Sequence, residues 1–77
     1  MLVRVRIHSE AIWAIIARRN ISQNELATEL GISSGYMRQL LCGKRSPSPQ
    51  LRRRILTHLE PITFDELFII ENGIDSD

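Results

Sequence analysis

Cysteine is nearly absent from this 77-residue chain, in which Cys42 is the only one. A single thiol cannot form an internal disulfide, so the fold must depend on a hydrophobic core, as is usual in a reducing compartment. Long apolar runs are also missing, since the longest spans only Ala11 to Ala17, far short of the roughly 20 residues that cross a bilayer. The first residues lack the apolar stretch of a signal peptide. We therefore expect one small cytoplasmic domain, residues 1–77, with no membrane partner.

Residues suited to catalysis or metal binding are equally scarce. His8 and His58 are the only histidines, and neither has a second ligand at metal-binding spacing. No nucleophile, base and orienting group can be assembled from these two residues and Cys42. A chain of this length also has little room for an enclosed catalytic cleft. We expect no enzymatic activity, no cofactor, no metal and no small-molecule ligand.

Acidic residues are missing from a long central stretch of the chain. None occurs between Glu29 and Glu60. Residues 1–54 contain all ten Lys and Arg against three acids, a net charge of +7, whereas residues 55–77 contain six acids and no Lys or Arg, a net charge of −6. A basic surface of this kind attracts a polyanion, and we expect the acidic end to point away from it. The alternative is a solvated surface on which charges cluster by chance.

The two ends of the chain have strand-like patterns. Residues 2–7 alternate apolar and basic side chains, and the segment 67–72 is rich in aromatic and β-branched residues. We expect the two segments to pair as a small antiparallel sheet, because pairing removes two exposed strand edges. Glu71 would then face Arg4 or Arg6.

Between these strands the sequence predicts four helices and a final short helical turn, so that the fold class is mainly α. Helices favour Ser or Thr as the N-cap, Pro in the first turn and Gly just past the end. The predicted caps are Ser9, Ser22, Ser33 or Ser34, and Thr63, with Pro49 in the first turn of the fourth helix; the first four helices end near Arg19, Gly31, Gly43 and Pro61.

The first predicted helix is apolar on nearly every side, so we expect it to be covered on more than one of them. The N-terminal strand and a second subunit are the two candidate covers. Trp13 is interpreted as a core or strand-covered aromatic residue, and the alternative is an exposed anchor for a second subunit.

Residues 22–42 have the pattern of a helix-turn-helix unit, in which two short helices flank a tight turn that contains Gly31. Ala27 is small enough for the second of these helices to cross closely over it. Ile32 and Leu40 are expected to fix the angle between the two. The outward positions of the second helix are then Ser34, Gly35, Arg38 and Gln39.

Three segments carry a family resemblance, namely Gln23 to Ala27, Gly31 to Ser33 and Gly43 to Ser48. Together they resemble the phage-repressor-like (Cro/C1-type, XRE) helix-turn-helix family, over about residues 12–67. The resemblance implies a five-helix, lambda-repressor-like domain that binds double-stranded DNA as a homodimer. It also implies a transcriptional regulator, usually a repressor, which would be nucleoid-associated. A protein-interaction or antitoxin module that uses the same fold for dimerisation or partner binding is the alternative function.

The resemblance also assigns DNA contacts. It implies base contacts by Ser34, Gly35, Arg38 and Gln39, and phosphate contacts by Gln23, Ser33, Tyr36, Lys44 and Arg45. The residue types agree with these roles, since Arg pairs with guanine and Gln with adenine, whereas Lys and Arg in a loop supply sequence-independent affinity. The sequence departs from the family at Ile16 and Leu41, where many members have an ion pair. Gly35 is a further departure, because it offers no side chain for reading a base.

Overall fold

The computed structural model describes residues 2–73. Within this range the chain forms five helices between two terminal strands, which confirms the predicted mainly helical fold class with its small sheet. The elements are β1 (Leu2–Ile7), α1 (Ser9–Arg19), α2 (Gln23–Leu30), α3 (Ser34–Leu41), α4 (Pro49–His58), α5 (Phe64–Leu67) and β2 (Phe68–Gly73). None of these helices is long and apolar enough to cross a membrane. Of the predicted acidic end, Asp75 and Asp77 lie outside the described residues.

The two strands form an antiparallel ladder, as predicted from their patterns. β2 begins one residue later than expected because Leu67 still belongs to α5. The carbonyl of Leu67 accepts a hydrogen bond of 2.8 Å from the His8 amide, which joins the ends of the two strands. Glu71 faces Arg4 in the ladder, and its carboxylate pairs with Arg6 Nε at 2.7 Å. The hydrogen bond from Arg6 lowers the pKa of Glu71.

The sheet extends beyond the hydrophobic core. Residues opposite each other in an antiparallel ladder share one side of the sheet, and on one side Ile7 and Phe68 are buried. Farther along the same side, Val3 is 62% exposed and Ile70 is 56% exposed. The outer part of this apolar side is therefore open to solvent.

Local hydrogen bonds fix the ends of α2. The Ser22 hydroxyl accepts from the Glu25 amide at 3.0 Å, and the Glu25 carboxylate accepts from the Ser22 amide at 2.7 Å, so the predicted capping box is present. At the other end, Gly31 has a φ of +76°, a left-handed conformation that glycine adopts without steric cost. Arg54 on α4 donates to the carbonyl of Leu30 at 2.7 Å. α2 therefore ends in a defined turn that sets the start of α3.

The core contains side chains from both strands and all five helices. Its largest fully buried side chains are Leu26, Leu30, Met37, Leu40, Ile55, Leu59 and Leu67. Ala27 is also buried, as the predicted close crossing of α2 and α3 requires. Ile16 and Leu41 are the two apolar residues at which the sequence departs from the family's ion pair. Leu41 is buried, and Ile16 packs against the core. Removing each large side chain from water contributes about 1.5–3 kcal/mol, so this cluster is the main stabilising contribution to the fold.

Two expectations about α1 are wrong. Ser9 is not the N-cap, because the helix already includes it and His8 occupies the capping position. The Ser9 hydroxyl instead donates to the carbonyl of Leu41, at the end of α3. Trp13 is 50% exposed, because only the side of α1 that contains Ile12 and Ile15 faces the core. The ladder therefore does not bury this tryptophan.

Candidate nucleic-acid interface

The surface side of α3 is determined by its buried side. Met37, Leu40 and Leu41 recur at the spacing of one helix face, and all three are buried. The side chains of Arg38 and Gln39 are therefore exposed on the other side. The Ser33 hydroxyl accepts from the Tyr36 amide at 3.0 Å, which confirms Ser33 as the N-cap.

The loop between α3 and α4 folds back over the end of α3. The Lys44 and Arg45 amides both donate to the carbonyl of Gln39, at 3.0 and 3.3 Å. Gly43 has a φ of +81°, which permits this reversal. The Arg45 guanidinium carbon lies 5.8 Å from the centroid of the Tyr36 ring, a cation–π contact that orients this side chain. These contacts place the two loop cations beside the exposed side of α3.

Together, α3 and the loop form a concavity of about 610 Å³ that is open to solvent. We call it the α3 surface, and it is lined by Ser33, Gly35, Tyr36, Arg38, Gln39, Cys42, Lys44 and Arg45. The structure therefore brings together all of the residues assigned from the sequence except two. Ser34 is exposed at the first position of α3, outside this lining. Gln23 is half-buried at the first position of α2, and no hydrogen bond among residues 2–73 joins it to α3.

The α3 surface is positively charged. Arg38, Lys44 and Arg45 line it without any carboxylate from the described range. Ion pairs in this range lie elsewhere, between Arg6 and Glu71 and between His58 and Glu29. The three cations are therefore available to an anionic ligand in water, and their attraction to it will weaken with added salt.

Arg4 is a contributor to this region that the sequence pattern did not identify. Its Nε donates to the Ser46 hydroxyl at 2.8 Å, and Nη2 donates to the carbonyl of Gly43. The alternating pattern of β1 predicts only that this side chain lies on one side of a strand. Nothing in the sequence indicates acceptors 39 and 42 residues farther along the chain.

No group of three His, Cys, Asp or Glu side chains within the described part of the chain is placed to hold a metal ion. No protein-family model matches the sequence, and comparisons with curated proteins and with solved structures gave no match.

Proposed function

We propose that this protein binds double-stranded DNA sequence-specifically, as a transcriptional repressor, with α3 in the major groove. The observation that carries the proposal is the α3 surface, where an exposed helix side and a basic loop lie together without acids. A helix with its side chains is about 10–12 Å wide, close to the roughly 12 Å width of the major groove. The order of α2, a glycine turn and α3 also has the arrangement of helix-turn-helix proteins. The resemblance to the phage-repressor-like family supports the same proposal.

The contacts divide between bases and phosphates. Arg38 and Gln39 extend from the helix itself, so we assign them to base edges, with Gly35 and Ser34 at the earlier positions. The loop and cap residues lie at the margins of the helix, where the sugar-phosphate backbone passes. The proposed phosphate contacts are Ser33, Tyr36, Lys44 and Arg45, with Gln23 on the flank at the start of α2.

A homodimer is part of the proposal. Val3 and Ile70 expose the outer apolar side of the ladder, and Trp13 is half exposed on α1. Tryptophan is a typical anchor in protein interfaces, and exposed apolar patches often mark interaction sites. A two-fold dimer would present two copies of α3 to successive major grooves, so the two half-sites should be centred about 34 Å apart or a multiple of that distance.

Selection of bound duplexes from a random pool, at a low and a high salt concentration, tests the proposed function. We expect one palindromic sequence to be enriched at both concentrations, because base contacts persist when phosphate contacts are screened. The double variant Arg38→Ala/Gln39→Ala serves as the matched control, since both side chains are exposed and the fold should be retained. Enrichment by the control equal to that by the native protein would contradict the base assignment. No enrichment by the native protein would favour a protein-interaction module.

A substitution at Gly35 is expected to affect the stability of the fold and the affinity for DNA in opposite directions. A Cβ added at this position would meet nothing within 4 Å, and its φ is not in the left-handed region. Gly35→Ala is therefore expected to raise the free energy of unfolding by about 0.5–1 kcal/mol, measured by urea denaturation, because alanine is the better helix former. The same change should weaken duplex binding, since the added methyl group projects into the α3 surface. Unchanged or tighter binding by the stabilised variant would show that the DNA does not approach this part of the helix.

A further inference from the structure

Arg4 joins the N-terminal strand to the basic loop. Its guanidinium donates to Gly43 and Ser46, the residues on either side of Lys44 and Arg45. One side chain from β1 therefore holds the loop on both sides of the two cations that we assign to phosphate contacts. Arg presents several donors in a rigid planar group, so one side chain can hold two acceptors at a fixed separation.

The ladder leaves Arg4 free to make these contacts. Glu71 lies directly opposite Arg4 in the strand register. The Glu71 carboxylate, however, accepts from Arg6 Nε at 2.7 Å. The Arg4 guanidinium makes its hydrogen bonds to the loop, while its charge also helps to lower the pKa of Glu71, after the larger effect of Arg6.

Apart from Arg4, the segment that contains the two cations is held by the Tyr36 ring against Arg45, by the buried Pro47 and by hydrogen bonds to α3. The amides of Lys44 and Arg45 share one acceptor, the carbonyl of Gln39. The Gly43 amide donates to Leu40, also on α3. Each further contact that fixes the loop in the free protein reduces the entropy cost of ordering it during binding.

We propose that Arg4 is a positioning residue for DNA binding, which holds the loop of Lys44 and Arg45 in place before the duplex arrives. This inference rests on the proposed function. In the free protein, the contacts from Arg4 also restrict the conformation of the loop. The rival interpretation is that Arg4 itself contacts a phosphate. Duplex affinity would then depend on the charge of Arg4 and not on its hydrogen bonds to Gly43 and Ser46.

Hydrogen exchange in the free protein tests the positioning directly. We expect Arg4→Lys and Ser46→Ala each to accelerate exchange of the Lys44 and Arg45 amides. Lysine keeps the charge, but its donors leave a single nitrogen on a flexible stem, so it holds the two acceptors less rigidly than the separate Nε and Nη2 of the planar Arg4 group. Ser46→Ala removes one acceptor without changing any charge. Arg18→Ala, which removes an exposed charge from α1, is the matched control and should leave these amides unchanged. Unchanged loop exchange in the folded Arg4→Lys protein would overturn the proposal.

Duplex affinity separates positioning from direct contact. In the native background, Arg4→Lys should weaken binding to all duplexes about three- to tenfold, the effect of roughly one lost hydrogen bond. In a Lys44→Ala/Arg45→Ala background the same change should have no further effect, because the residues being positioned are gone. An equal loss on replacing Arg4 by alanine in both backgrounds, with full rescue by lysine, would establish a phosphate contact and refute positioning. Failure of the native protein to bind any duplex would refute the proposed function, while the exchange rates would still decide whether Arg4 orders the loop.

Discussion

Replacing Leu40 by alanine is expected to lower the free energy of unfolding by about 2–5 kcal/mol, the cost of removing a large side chain from a packed core. Leu40 is fully buried on the inner side of α3, in the same cluster as Leu26 and Ala27 of α2. A domain of 77 residues has a total stability of only about 4–12 kcal/mol at 0.05–0.15 kcal/mol per residue. The expected loss is therefore between about a sixth of this total and all of it, which makes Leu40→Ala one of the most destabilising single changes in the domain.

Urea denaturation followed by circular dichroism measures this loss. The neighbouring change Gln39→Ala is the control, because Gln39 is exposed on the same helix and should alter stability by no more than about 0.5 kcal/mol. A loss below 1 kcal/mol for Leu40→Ala would mean that α3 is not packed as the structure describes. Since the pose of α3 sets the direction of Arg38, this variant should also lose duplex binding.

The second large effect is expected at Arg38. Arg38→Ala should reduce discrimination at one base pair by about 1–3 kcal/mol while leaving the other positions of the site unaffected. Lys44→Ala should instead weaken binding to all duplexes alike and reduce the slope of log affinity against log salt concentration by about 0.9. Both side chains are exposed, so neither change should destabilise the fold.

Titrations against the selected duplex and its single-base variants, at several salt concentrations, distinguish these two behaviours. The two protein variants act as controls for each other, since each removes one positive charge from the α3 surface. If both reduced affinity equally for every duplex and changed the salt slope equally, Arg38 would be a phosphate contact. The assignment of base reading to the middle of α3 would then be wrong.

Local signals in the sequence predicted most of the elements. The capping box of Ser22 and Glu25 involves residues three positions apart, and Pro49 begins α4 through its own fixed geometry. The strand pairing was also predictable, because the two end segments with strand-like patterns had no other partner for their edges. By contrast, the Ser9 hydroxyl contacts a carbonyl 32 residues away, so its short-range capping pattern was misleading.

Part of the candidate site was also predictable from local signals in the sequence. The buried Met37, Leu40 and Leu41 define which side of α3 is exposed, and this follows from helix periodicity alone. The direction of the loop beyond Gly43 does not follow from periodicity, because it depends on where β1 lies in three dimensions. The contacts of Arg4 could not be predicted for the same reason. The exposure of Trp13 could not be predicted either, since helix periodicity alone does not determine how far the ladder reaches over α1.

The ladder between the first and last strands has a consequence for biosynthesis. α2 and α3 are neighbours in the sequence and can dock while the chain is still growing, because local contacts close only short loops. β1 must wait for β2, its partner more than 60 residues later. The strand that carries Arg4 is therefore fixed in the ladder only once β2 has left the ribosome. A nascent chain would contain α3 before β2, so that a product truncated before Phe68 would lack the partner strand of β1 and would have an incompletely ordered basic loop.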